Sequence, residues 1–368
     1  MENQELFYRL ALNLVNGIGP VKYKKLIATF QTAENIFKQS FKSLKKTDLL
    51  TEANADAIKS FKDFSSVEKE LNYTEKHGIH IHCFDDATYP QKLKNCLDSP
   101  VLLFQKGNAN LNAQRVLSVI GTRSFTEYGK KICEELIAQL KPYHVVVTSG
   151  LAYGIDIIAH KACLKHDIPT LGIVAHGLDM IYPRAHMAIA KEMQHQGGIL
   201  SEYFSNSPLE KGNFPSRNRI VAGISDATIV VETDMKGGSM ITADIAFSYN
   251  REVFCFPGRT IDSKSAGCNF LIKKLKGQLV TGADDIATEM GWKTSAKPVA
   301  VQKELFIEMS DEERKIVDLL RTKESIHIDE LLMLSQLNSS QVAGAMLSLE
   351  MQQILMVMPG KMIRLLGT

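Results

Sequence analysis

The 368-residue chain contains no apolar run approaching the ~20 residues of a membrane-spanning helix. It opens "MENQELFYRL", with no basic segment leading into an apolar one. Neither membrane insertion nor a secretory leader is expected, so the predicted compartment is the cytoplasm. Cysteines stand only at 83, 96, 133, 163, 255 and 268, with no C-x-x-C. That excludes a disulfide framework and a zinc site and predicts reduced core thiols. His80 and His82 share a strand face in "HGIHIHC" but gather no further ligands, so a solvated edge strand is expected and no metal site. The dinucleotide fingerprint G-x-G-x-x-G is missing, because Gly150 and Gly154 stand alone and no acid follows at the spacing that holds a ribose. G-x-x-x-x-G-K-[ST] is missing too, which argues against a P-loop ATPase. No cofactor is expected. The net charge is only +2, without a basic tail, so any polyanion has to be met by locally placed cations.

What is present is ordinary globular material, 45% hydrophobic and 23% charged, with length for two or three domains. Residues 1–68 read as helical. "ELFYRLALNLV" and "YKKLIATFQTAENIF" carry apolar residues at helical spacing, separated by "NGIGPVK". This helix–GxG–helix unit, of helix-hairpin-helix or SAM-like type, either aims backbone N–H groups at a phosphate or is a plain turn. Residues 69–290 change pattern. "IHIHCF", "VLLFQKG", "RVLSVIGT", "HVVVTSG", "PTLGIV", "GGILSEY", "ATIVVE" and "EVFCFPG" are short apolar runs. Helical stretches at 126–140, 154–166, 185–196, 215–223 and 238–250 separate many of them. Such alternation predicts an α/β, Rossmann-like, doubly wound and mostly parallel sheet, with ligand beyond the carboxyl ends of the strands. Residues 291–306 read as a linker. Residues 307–368 read as a winged helix, with Ser310 and Glu313 as a capping box and the hairpin "ILMVMPGKMIRLL".

Three strand ends carry candidate chemistry. Gly121 turns the backbone off one strand and Arg123 forks onto an anion. Ser149 and Gly150 end a second strand, and Gly154 opens a helix. Gly237, Gly238 and Ser239 lead another. Around them falls "NFPSRNR", with Lys211 upstream and then Phe214, Arg217, Asn218 and Arg219. Repeated anion sites without a cofactor motif predict a nucleic-acid backbone. Phe214 is then a platform for an unstacked base of a single strand, or alternatively a loop plug. Arg217 and Arg219 are two apart and, if helical, face different ways, so one is expected at DNA and the other on a carboxylate. Asp156 and His160, four apart on one face, predict a local hydrogen bond rather than an acid–base pair.

"VIGTRSFTEYG", "SGLAYGIDIIAH", "GLDMIYP", "ILSEY", "NFPSRNRIVAGIS", "GGSMITADIA" and "REVFCFPG" occur in an order that resembles the DNA-processing protein A (DprA/Smf) family. The resemblance covers the whole sheet domain and extends to both flanks. It implies a single-stranded DNA binder, not an enzyme, that protects incoming strands and loads the RecA recombinase in natural transformation and recombination. It implies Arg123, Lys211, Phe214 and Arg217 near DNA, with Gly150 and the 237–239 turn on phosphates. It also implies a homodimer through "GCNFLIKKLKGQLV". That segment departs from the family pattern, in which "LI" is followed by two residues and Gly-Ala. The winged helix departs as well: residues 338–353 hold no Lys or Arg, and 311–368 carry six basic against eight acidic residues. A protein contact there fits better than duplex binding. A rival reading is a Rossmann-like hydrolase of nucleoside monophosphates, but "KGGSMITADIA" lacks the Pro-Gly-Gly turn and glutamate of that group. A third is an adaptor that binds protein alone.

Overall fold

The computed structural model describes residues 2–292, 309–323, 325–352 and 354–366. Most of the expected linker, including Pro298, lies outside them.

Nine strands form one sheet: β1 His80–Cys83, β2 Leu102–Gly107, β3 Val116–Ile120, β4 Val146–Ser149, β5 Thr170–Ile173, β6 Gly197–Ser201, β7 Ala227–Val230, β8 Glu252–Cys255 and β9 Gln278–Leu279. Their order is β1-β2-β6-β5-β4-β3-β7-β8-β9. From β6 to β9 every pairing is parallel, whereas β1–β2 and β2–β6 are antiparallel. β3 to β8 are buried almost throughout because helices cover both faces, which is why they read as unbroken apolar runs. One face packs Leu136, Ile137, Ile158 and Ala159 over Leu117, Val147 and Ile229. The other packs Ile220, Val221, Ala243 and Ala246 over Ile120, Leu171 and Val230. After β3 the chain winds outward through β4, β5 and β6, then returns to lay β7 on the other side of β3. The carboxyl ends of β3 and β7 therefore flank a topological switch point, where a doubly wound sheet opens a crevice.

The N-terminal helices run from Glu2–Leu14 to Phe64–His77, the last of which spans the 68/69 boundary drawn from sequence. Leu10, Leu12, Leu26 and Ile36 are buried in the same cluster as Leu102 and Phe104 of β2. Gly17 takes a φ of 78°, and Lys22 closes this turn by donating to its carbonyl at 3.3 Å and to Asn54 Oδ1 at 2.6 Å. Lys24 donates to Ser99 Oγ at 2.6 Å, so neither lysine is simply solvated. On β1, His80 is exposed as expected of an edge strand. His82 is buried instead, bonded to Gln105 at 2.8 Å and Thr88 at 3.0 Å. It shares the face of His80 but lies further along the strand, where Gln105 and Thr88 cover it, a correction to the solvated reading. All six cysteines are buried and free.

The C-terminal module has helices Asp311–Arg321, Ile328–Ser335 and Ser339–Met351, with β10 Ile326–His327, β11 Leu355–Met358 and β12 Met362–Leu365. Ser310 and Glu313 form the expected capping box. The helix Ser339–Met351 exposes Leu347 and Met351 where a duplex-reading helix presents cations. Among the described residues no helix is long and apolar enough to cross a membrane.

His160 is fully buried under the sheet, its Nδ1 2.7 Å from Thr170 Oγ1. Burial lowers its pKa from 6.5 to about 3. The unfolded chain takes up that proton first as pH falls, so the stability contributed by a neutral His160 is complete above about pH 6.5 and drains away toward pH 3. Urea titrations of the protein and His160→Gln are expected to show a stability difference that narrows steadily across that interval.

Candidate functional site

Gly121 follows β3, and a Cβ there would lie 2.5 Å from Ile155 Cγ1, so only glycine lets the chain turn against the helix Ile155–Lys165. The turn is held by Thr122 N, which donates to the Glu232 carbonyl at 2.6 Å. Arg123 then projects outward, exposed and without an acidic partner among the described residues. Its guanidinium lies 6.0 Å from the centroid of the Phe214 ring.

At the end of β4, the Ser149 hydroxyl is buried and donates to Val119 O at 2.6 Å. It braces the strand ends and does not face the crevice. Asp156 Oδ2 accepts from Gly150 N at 3.1 Å and from Ala152 N at 3.4 Å. Gly154 takes a φ of 84°, and any Cβ would overlap the Thr122 carbonyl. Two strand-end loops thus pass closer than side chains permit. Asp156 and His160 are not bonded to each other, contrary to the local bond expected from their spacing: each is taken by the fold, one by backbone amides and the other by Thr170.

Beyond β7, Gly237 caps the helix Gly238–Ser248 without a side-chain hydrogen bond. Gly238 is exposed and a Cβ there would meet nothing within 4 Å, so the start of this helix is unobstructed, although Met240 N already donates to Gly237 O at 3.0 Å. Ser239 is buried and donates to Thr233 Oγ1 at 2.7 Å.

"NFPSRNR" forms the first turns of the helix Asn213–Ile224, with Pro215 near its start where a missing N–H costs nothing. Arg217 is only 5% exposed. It donates to Gly150 O at 2.6 Å and to Ile173 O, joining the ends of β4 and β5, and its Nε reaches Asn218 Oδ1 at 3.3 Å. Burial lowers its pKa to about 10, with Asp156 opposing the shift, so it stays charged at neutral pH. The same burial raises the Asp156 carboxyl, against the pull of Arg217. Arg219 faces elsewhere and pairs with Glu202, as the two-residue spacing predicts for one of the two arginines. Phe214 is half-buried at the rim, 5.9 Å from the ring of Tyr182.

These elements enclose an open cavity of about 430 Å³. It brings together Gly121, Arg123, Gly150, Phe214, Arg217 and Asn218 with the 237–239 turn. Ser149 and exposed Lys211 are not among the lining residues; Lys211 precedes the helix Asn213–Ile224 by two residues. Sequence reasoning passed over Lys264, which lines the cavity and pairs with Asp234 at 3.6 Å. It also passed over exposed Tyr182, whose ring meets Phe214 beside the cis Tyr182–Pro183 peptide, and exposed Tyr153, whose ring lies 4.9 Å from that of His186. An aromatic next to Gly or Pro just past a strand end, as in "LAYG" and "IYPR", was the available signal. Among the described residues no three His, Cys, Asp or Glu side chains are placed to hold a metal.

Fold and crevice together define a doubly wound α/β protein with an open, arginine-bearing crevice at its switch point, flanked by a helical module and a winged helix. The model of the DNA recombination-mediator protein A family matches residues 80–291, and that of the DprA winged helix domain matches 297–361. The chain belongs to this family. It is 39% identical to the DNA processing protein DprA of Streptococcus pneumoniae over 55% of this chain and 72% of that one. It is 37% identical to the Bacillus subtilis DprA over 62% and 76%. The solved S. pneumoniae structure superimposes with a TM-score of 0.67 at 31% identity, covering 77% of this chain and 97% of that one. A structure described as showing the single-stranded DNA binding mode of the Helicobacter pylori protein aligns at 0.52 and 31%, covering 57% and 94%.

Removing Arg217 strands Asp156 and two strand-end carbonyls in the interior. Arg217→Ala is expected to lower unfolding free energy by about 3–5 kcal/mol in urea titrations. Exposed Arg123→Ala is expected to stay within about 0.5 kcal/mol of the parent.

Proposed function

We propose that the crevice binds single-stranded DNA without sequence preference and without catalysis. The observation that carries this reading is the cluster at the switch point: Arg123 without an acidic partner among the described residues, half-buried Phe214 and the unobstructed helix start at Gly238, with exposed Lys211 just ahead of the helix that bears Phe214. Phosphates take the cations and N–H groups, and a base stacks on Phe214. The H. pylori relative, described by its single-stranded DNA binding mode, supports the same assignment. In this reading the protein acts in the cytoplasm. It shields incoming strands and passes them to the RecA recombinase during transformation and recombination. It works as a homodimer through "GCNFLIKKLKGQLV" at the end of the sheet domain, where Leu275 and Leu279 are exposed. Hydrolysis of nucleoside monophosphates is disfavoured, because Glu232 at this strand end is spent on Thr126, whose hydroxyl donates at 2.6 Å and whose N–H donates at 2.9 Å.

Anisotropy of labelled oligo-dT tests this directly. Affinity is expected to fall with salt at a log–log slope of about −0.7 per phosphate neutralised. Arg123→Ala and Lys211→Ala are each expected to shallow that slope. Phe214→Ala is expected to cost about 1–3 kcal/mol with the slope unchanged. A flat salt response, or tighter binding to duplex, overturns the assignment.

The winged helix is not needed for this. Trp292 is fixed from the sheet side, donating its N–H to Ala287 O at 2.8 Å beneath the Arg115 guanidinium, 5.2 Å from its ring. A chain ending at Trp292 is expected to fold and to hold oligo-dT within a few-fold of the whole protein, measured at matched salt. Loss of binding by the folded fragment moves the DNA site to the tail.

A further inference from the structure

A larger cavity, about 870 Å³, opens beside the crevice at the carboxyl ends of β7 and β8. Lys264 lines both, so the two are adjoining chambers. The second is preformed. Tyr128, on the helix Glu127–Leu140, presents a half-exposed ring whose hydroxyl donates to Pro257 O at 2.7 Å. The loop after β8 is tied down by Asn269, which accepts from Gly258 N at 3.2 Å and donates to Gly258 O at 3.0 Å. A Cβ on Gly258 would overlap the Ser265 side chain, so this wall is closed by contact.

The charge of the cavity says what it does not hold. Arg259 and Lys264 are matched by Asp262 and Glu232 in the lining, so phosphates gain little there. What remains is a fixed aromatic ring, exposed Ile261 and the Pro257 ring, fringed with polar groups. That is the chemistry of a nucleobase: a flat apolar face with hydrogen-bonding edges. We propose that this cavity takes a base of the strand whose phosphates lie in the crevice, stacked on Tyr128. The inference rests on the single-stranded DNA reading above.

The test compares oligo-dT with an abasic oligomer of equal length, using the full chain. Tyr128→Leu is expected to weaken oligo-dT binding at least about 5-fold and to leave binding of the abasic oligomer unchanged. Tyr128→Phe, which keeps the ring and loses the Pro257 bond, is expected to bind both like the parent. Arg123→Ala is expected to weaken both strands. In the unaltered protein, 5-iododeoxyuridine placed along the strand is expected to photo-crosslink to the peptide bearing Tyr128, a readout that survives if Tyr128→Leu does not fold. Unchanged oligo-dT affinity in Tyr128→Leu, equal weakening on both strands, or no crosslink at Tyr128 overturns the base pocket. If Arg123→Ala still weakens binding in that case, the crevice reading stands. Failure of the unaltered protein to bind oligo-dT overturns both.

Discussion

The buried guanidinium of Arg217 is the fixed point of the crevice. It reaches the carbonyls at the ends of β4 and β5 and acts through its charge on Asp156, which in turn gathers the amides of Gly150 and Ala152. One side chain therefore pins the helix Asn213–Ile224 across two strand ends. Phe214, three residues earlier on that helix, shares its face and is carried to the rim, where Tyr182 and Arg123 meet it. A charge that gives its hydrogens to the backbone adds positive potential from below, and the unpaired cations are left for contact from above.

Cations of two kinds explain how a chain with so little net charge can offer an anion site. Arg219, Lys22, Lys24 and Lys92 are consumed internally by Glu202, Asn54, Ser99 and Asp226. Arg123 and Lys211 are not paired with an acid among the described residues, and Arg123 stands in the crevice lining. Placement, and not total charge, sets the field there. The glycines serve the same end by letting three strand-end loops converge more closely than side chains permit.

The doubly wound sheet was legible because strands buried on both faces are written as continuous apolar runs, and the helices between them keep their own period. The winged helix was legible from its capping box and hairpin. The antiparallel pairing of β1 and β2 was not, since an apolar run such as "VLLFQKG" carries no sign of its direction. The short β9, in "GQLV", gave too few residues to show a period. At the site, the glycine turns and "NFPSRNR" marked nine of the cavity-lining positions, yet the depth of each arginine was hidden. Two arginines a residue apart look alike until the helix phase and the neighbouring carbonyls are known. Tyr153, Tyr182 and Lys264 escaped because a single aromatic or lysine in a loop is usually only surface.

The N-terminal helices share one core with the edge of the sheet. Leu10, Leu26 and Ile36 are buried in one cluster with Val101, Leu102 and Phe104 of the sheet. Arg9 pairs with Asp85, and Glu70 receives the backbone and hydroxyl of Ser205. The module and the sheet edge are thus one cooperative unit, which opens to solvent together or not at all. It is a fixed shoulder, not a swinging arm. The Gly17–Gly19 turn, closed on itself by Lys22 and Asn54, is therefore carried at a position set by the sheet edge.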